Sequence, residues 1–122
     1  MASYESARRN SLIAATSFAA SPDLSRVAYD VAQTNVCVQD LREDGKVLWT
    51  KPASEEYIVA LAFSPDGKIL ASAAGFGTND IRLWDADTGQ ELGPPFKGHG
   101  SFVCSMVFWP DGRKLASSSM LP

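Results

Sequence analysis

Residues 62–112 read AFSPDGKILASAAGFGTNDIRLWDADTGQELGPPFKGHGSFVCSMVFWPDG. The stretch opens on a Pro-Asp-Gly turn at Pro65–Gly67 and closes on a second one at Pro110–Gly112. Between them lie short apolar runs, among them Ile81-Arg82-Leu83-Trp84-Asp85, a Thr88-Gly89 turn, and Gly98-His99 ahead of the next run. A unit that begins again with the same turn is a repeat, and a repeat decides the architecture before any other feature.

The same unit extends in both directions. Upstream, LIAATSFAA runs into Ser21-Pro22-Asp23, followed by RVAYD, NVCVQDL and KVLWT with Asp44-Gly45 between the last two. Downstream, Phe102–Phe108 leads through the Pro110–Gly112 turn into Lys114-Leu115-Ala116-Ser117-Ser118. Each run is apolar or β-branched, and Pro, Gly, Asp and Asn separate the runs, which are strand and hairpin signals. Pro22, Pro65 and Pro110 lie 43 and 45 residues apart, and Val36 and Ile81 lie 45 apart. A period of about 40–45 residues with four strands per copy is that of a propeller blade. One such blade is apolar on both faces and must stack against neighbours around an axis.

The chain resembles the WD-repeat (WD40) β-propeller family. The resemblance rests on Phe63-Ser64-Pro65-Asp66-Gly67, Leu70-Ala71-Ser72, Ile81–Asp85, Thr88-Gly89 and Gly98-His99, and covers about 110 of the 122 residues. It implies an all-β fold: a partial β-propeller of four-stranded antiparallel blades in an incomplete ring. It also implies a buried polar network joining a third-strand Trp, a second-strand Ser or Thr, a turn Asp and the His of Gly-His. Carried onto this chain, that network falls on Ser72, Trp84, His99 and Ser117, with no copy holding all four members. The central copy has Ala53-Ser54 where Gly-His belongs, and a longer second loop that puts the turn role of Asp80 in doubt. The first copy has Gln39 in place of Trp and Leu24 in place of the turn Gly, and reads as a degenerate blade.

These boundaries divide the chain into a disordered tail (1–10), a degenerate repeat (11–50), a full repeat (51–96) and half of a third (97–122). Ten strands are expected, with Gln90–Phe96 as the fourth of the central copy. Two and a half blades do not close a ring, since propellers use about 4–8. The expectation is therefore a piece of a longer propeller.

Composition narrows the function. The net charge is −3 and the pI about 5.0, with no basic patch beyond Arg8-Arg9 and Arg113-Lys114, so nucleic acid is not an expected partner. No apolar run reaches the roughly 20 residues of a membrane span, so no membrane is expected either. Cys37 and Cys104 are expected as buried free thiols of a reducing compartment, which suggests the cytoplasm, with the nucleus as the alternative.

No residue set carries catalysis. His99 is the sole histidine, and its place in Gly-His favours a structural hydrogen bond over a general base or metal ligand. No zinc-ligand spacing, nucleophile elbow or phosphate loop is present. Asp66, Asp85, Asp87 and Asp111 sit in turns, where Asp bonds nearby amides. No catalytic residue, metal or cofactor is assigned. The expected function is a protein-interaction scaffold, non-catalytic, bound to other proteins or to the remainder of the propeller, with oligomers as a further option. Candidate partner contacts are Glu55, Glu56 and Phe76 on the loops of one rim, and Trp109, which replaces the usual Ser before Pro-Asp-Gly. A second expectation follows from Thr88–His99, whose wording is similar to arrays attached to large STAND-type signalling NTPases: a sensor portion of such a protein.

Overall fold

The computed structural model describes residues 17–54, 57–75, 80–97, 103–112 and 114–119. Nine strands are formed among them: β1 (Phe18–Ala20), β2 (Arg26–Val31), β3 (Asn35–Asp40), β4 (Lys46–Pro52), β5 (Ile58–Phe63), β6 (Ile69–Ala74), β7 (Ile81–Asp85), β8 (Val103–Phe108) and β9 (Leu115–Ser119). They make three antiparallel sheets in chain order, β1-β2-β3-β4, β5-β6-β7 and β8-β9. The first strands of the sheets lie side by side, β1 against β5 and β5 against β8, so the sheets fan out as an open arc of blades.

The turn between the first two strands is built the same way each time. In the second sheet, Gly67 N–H donates to the Ser64 carbonyl at 2.9 Å and Ser64 N–H to the Ile69 carbonyl at 2.8 Å. Gly67 has φ +74°, a conformation that costs a side-chain-bearing residue but not glycine. In the first sheet Leu24 holds the same place at φ +61°, an uncommon conformation for a bulky residue.

The fourth strand expected at Gln90–Phe96 does not form as a continuous element. The segment touches β7 through two isolated bridges, Trp84 with Glu91 and Ile81 with Phe96. The sequence supplies the reason. Pro94 and Pro95 have no N–H to donate, and Gly93 turns the chain at φ +82°. The edge is still held, by Asp85 N–H to the Gln90 carbonyl and Leu92 N–H to the Leu83 carbonyl, each 2.8 Å.

The core lies between sheets. Val36, Val38 and Trp49 of the first sheet meet Leu61, Phe63, Leu70 and Trp84 of the second. Each such side chain removed from water contributes about 1.5–3 kcal/mol. Between the second and third sheets the partition is by size. Fully buried Ala71 and Ala73, with Ile81, face Met106, Phe108 and Leu115. The alanines of β6 leave the room those larger side chains fill.

Residues 1–16, which include the expected tail and the start of the first apolar run, lie outside the described residues.

Candidate functional site

Trp84 sits on β7 opposite Leu70 of β6, two positions from Ser72 on the same face. Its indole Nε1–H donates to Ser72 Oγ at 2.9 Å, and both residues are buried. A hydroxyl is one of the few groups β6 can offer to an indole that would otherwise bury an unpaired donor. Asp80, at the entrance to β7, is also buried, and its Oδ1 has no partner among the described residues. His99 lies outside the described residues. Ser117 is half-buried on β9 opposite Met106, at the register position that Ser72 holds opposite Leu61.

A second tryptophan joins this cluster across the sheet boundary. Trp49, on β4, is buried against Trp84 with ring centroids 5.8 Å apart and planes tilted by 31°. Its Nε1–H donates to the Ala86 carbonyl at 2.8 Å, so the indole pins the first sheet to the turn after β7. Gly89 closes that turn at φ +78°, and a Cβ there would stand 2.6 Å from the Trp49 ring. Sequence reading missed Trp49, which lies outside the repeat motif. The glycine of Thr88-Gly89 was the available signal, since a residue without a Cβ permits both the left-handed turn and the close approach of a neighbouring ring.

Where the two first turns meet, a groove of about 200 Å³ is lined by Asp23, Asp66 and Asp87 together with Arg26, Arg42 and Lys68. Its charges are mostly satisfied internally. Arg26 pairs with Asp87 across the two sheets. Arg42 pairs with Asp40 at 3.3 Å, and that guanidinium, ahead of the Arg42 amide, holds the Asp40 carboxyl below its usual range. Asp23 receives the hydroxyl and amide of Ser25 and the hydroxyl of Ser21, which hold its carboxyl at about 2. Asp66 takes the Ser64 hydroxyl and the Lys68 amide and is lowered in the same way. These carboxylates organise backbone, and the groove acts as a seam between sheets.

Of the candidate contact residues, Trp109 is 53% exposed at the end of β8. Its amide donates to the Lys114 carbonyl at 2.7 Å and its carbonyl accepts from Gly112 at 2.8 Å, so the backbone turn survives without the usual serine hydroxyl. Glu55, Glu56 and Phe76 lie outside the described residues. Tyr57, next in sequence to Glu56, is 51% exposed, and its carbonyl accepts from Gly75 N–H at 2.9 Å. Cys37 is a free, buried thiol on β3 opposite Tyr29, and burial followed by contact with that thiol pushes the Tyr29 hydroxyl above its ordinary range. The side chain of Cys104 lies outside the described set. Among the described residues no group of three or more His, Cys, Asp or Glu is placed to hold a metal ion.

Comparison with known proteins agrees with this geometry. The family model described as the anaphase-promoting complex subunit 4 WD40 domain matches residues 17–111. An uncharacterized WD repeat-containing protein of Synechocystis is 32% identical over 89 residues, covering 73% of this chain and 25% of that protein. Human WD repeat-containing protein 90 is 33% identical over 102 residues, 79% of this chain and 6% of the relative. The crystal structure of the RRP9 WD40 repeats superposes with a TM-score of 0.75 at 27% identity, covering 85% of this chain and 32% of that one. The chain therefore spans a third or less of each of these proteins.

Proposed function

The chain belongs to the WD40-repeat family, whose propellers generally bind other proteins and serve as non-catalytic platforms, and we propose that these residues work as such a platform. The observation that supports the reading is a pair of large aromatic side chains, Tyr57 and Trp109, held half-exposed at strand ends on a frame locked by cross-sheet bonds. Aromatic side chains are enriched in protein interfaces, and loops on a rigid scaffold are where binding residues concentrate. Glu55, Glu56 and Phe76 share the loop region of Tyr57 in sequence and join the proposed contact set.

The test is to compare the proteins crosslinked to the native chain with those crosslinked to a variant carrying Glu55→Ala, Glu56→Ala, Phe76→Ala and Trp109→Ala. Loss of specific partners from a variant with unchanged melting behaviour is expected. Retention of every partner would refute the contact set.

The reading includes a cytoplasmic setting, supported by the free thiol of Cys37, since reducing compartments keep such thiols unpaired. The alternative, a sensor portion of a STAND-type NTPase, draws only on the wording of Thr88–His99. A phosphate-binding loop in the same polypeptide would favour it.

A further inference from the structure

The segment that closes the second sheet lies beyond β7, on the side away from β5, the strand that sits beside β1 and β8. Along it Leu92, Gly93, Pro94 and Phe96 are exposed and Pro95 is half-buried, five consecutive residues without a polar side chain. Leu92 is 39% exposed and Phe96 56%. Single exposed apolar residues are ordinary, but a run of this length on a surface calls for a function. The corresponding edge of the first sheet has no such run. β4 exposes Lys46, Val47, Thr50, Lys51 and Pro52, with a charge or a hydroxyl at three of those five positions.

The run is anchored at its ends and bare in its middle. Leu92 N–H donates to the Leu83 carbonyl at 2.8 Å, Phe96 N–H to the Ile81 carbonyl at 2.8 Å, and Ile81 N–H to the Phe96 carbonyl at 3.0 Å. Among the described residues no backbone hydrogen bond engages Gly93, Pro94 or Pro95. Gly93 turns the chain at φ +82°, and each proline ring fixes its own φ at about −65°. A residue that precedes proline is kept out of the helical region, so Pro94 is extended and the pair takes polyproline geometry. An incoming strand finds no N–H at two successive positions and gains little here. What the segment offers instead is two proline rings, their carbonyl acceptors and two flanking apolar side chains.

We infer that Leu92–Lys97 is a docking motif for a folded partner domain with an aromatic-lined groove of the kind that takes polyproline ligands. In such a groove aromatic rings pack on the proline rings, and indole or phenol groups donate to the proline carbonyls. Phe96 fills an adjoining apolar pocket. Lys97, exposed at the end of the run, pairs with an acidic residue at the edge of the groove. Because β7 holds both ends of the segment and the prolines are already stiff, little ordering is left for binding to impose. The inference rests on the protein-binding reading, yet it uses neither the loops of Glu55, Glu56 and Phe76 nor Trp109.

The experiment titrates the full chain into fluorescently labelled SH3, WW and EVH1 domains, each in turn. Saturable binding to at least one of them is expected. The double variant Pro94→Ala, Pro95→Ala and the single variant Phe96→Ser should each bind about tenfold more weakly or worse, the loss of a central contact. Lys97→Glu should weaken binding by less, and high salt should erase the difference. Melting curves check that the variants fold; Phe96→Ser keeps both prolines and the bonds to β7, so it reads recognition even where the double variant loses stability. No binding to any of the three domain classes overturns the proposal. So does binding that survives both Phe96→Ser and the proline variant, or that Trp109→Ala abolishes instead, since another surface would then be the site. Self-association abolished by Phe96→Ser overturns it too, because a second copy of the chain would be the occupant. None of these outcomes alters the crosslinking test of Glu55, Glu56, Phe76 and Trp109, so the two readings fail separately.

Discussion

The first and second sheets carry the same backbone on different chemistry. At one third-strand position the second sheet has Trp84, donating to Ser72 at 2.9 Å; the first has Gln39, donating through Nε2 to the Gly45 carbonyl at 2.6 Å. Both side chains are buried, yet Gln39 Oε1 has no partner among the described residues. At the turn the second sheet has Gly67 and the first has Leu24, both left-handed. The strand pairing is nonetheless alike, β2 with β3 and β6 with β7. The blade is therefore specified by its strand alternation and by the backbone bonds of its first turn. The motif residues add stability to that frame.

The largest effect should come from breaking the stronger half of this comparison. Trp84→Ala removes a buried ring that packs on Trp49 and lines the core between sheets, and should cost about 3–5 kcal/mol. Gln39→Met keeps volume, removes that oxygen and gives up one hydrogen bond, and should change stability by less than about 1.5 kcal/mol. Urea titrations of both variants check this. A Gln39 variant as damaging as the Trp84 one would mean that the first sheet depends on its polar side chain as strongly as the second depends on its indole.

Much of this was legible in the sequence, and the failures share a cause. Strand alternation and the Pro-Asp turns are local, so the strand sites and the repeat period could be read directly, whereas the nearness of Trp84 to Ser72 was implied only by the resemblance to the WD-repeat family. The segment Gln90–Phe96 was misread because Leu92 and Phe96 suggest a strand, whereas Gly93-Pro94-Pro95 between them forbids ladder bonds there. Trp49 and the Arg26–Asp87 pair were missed because each acts across a sheet boundary. Such contacts depend on how sheets stack, and no periodicity within one strand reports that. The exposure of Trp109, by contrast, follows from its replacing the serine that the other two turns bury.

A smaller effect separates the turns. Leu24 is 67% exposed, so its side chain contributes little packing to offset a left-handed backbone that costs an L-residue about 1–2 kcal/mol. Leu24→Gly relieves that strain but loosens the unfolded chain by about 0.4–1 kcal/mol, so the net gain should be about 0.5–1 kcal/mol. Gly67→Leu should lose stability by a similar amount, since its turn is otherwise the same. Thermal melts of the two variants should therefore move in opposite directions. Movement in the same direction would show that the turns are not equivalent.

The smallest effect concerns how each turn holds its aspartate. Asp23 receives the Ser25 hydroxyl, the Ser25 amide and the Ser21 hydroxyl, and is lowered from 3.8 to about 2. In the second turn Lys68 stands where Ser25 does, so Asp66 has the Ser64 hydroxyl and the Lys68 amide without that extra hydroxyl. A carboxyl whose folded pKa lies below its unfolded value stabilises the fold above the unfolded pKa, and that stabilisation is lost as pH falls through the folded one. For Asp23 the window runs from near 3.8 down to about 2. Ser25→Ala removes the largest cause of the shift, so the Asp23 carboxyl should titrate closer to 3.8 while Asp66 stays where it is. Carbon-detected NMR titration of the two side chains reads this directly, and the variant should also lose less stability than the native chain between pH 4 and 2. If Asp66 moved together with Asp23, the two turns would be coupled across the groove they line, and the sheets would share one electrostatic seam where two independent turns are described.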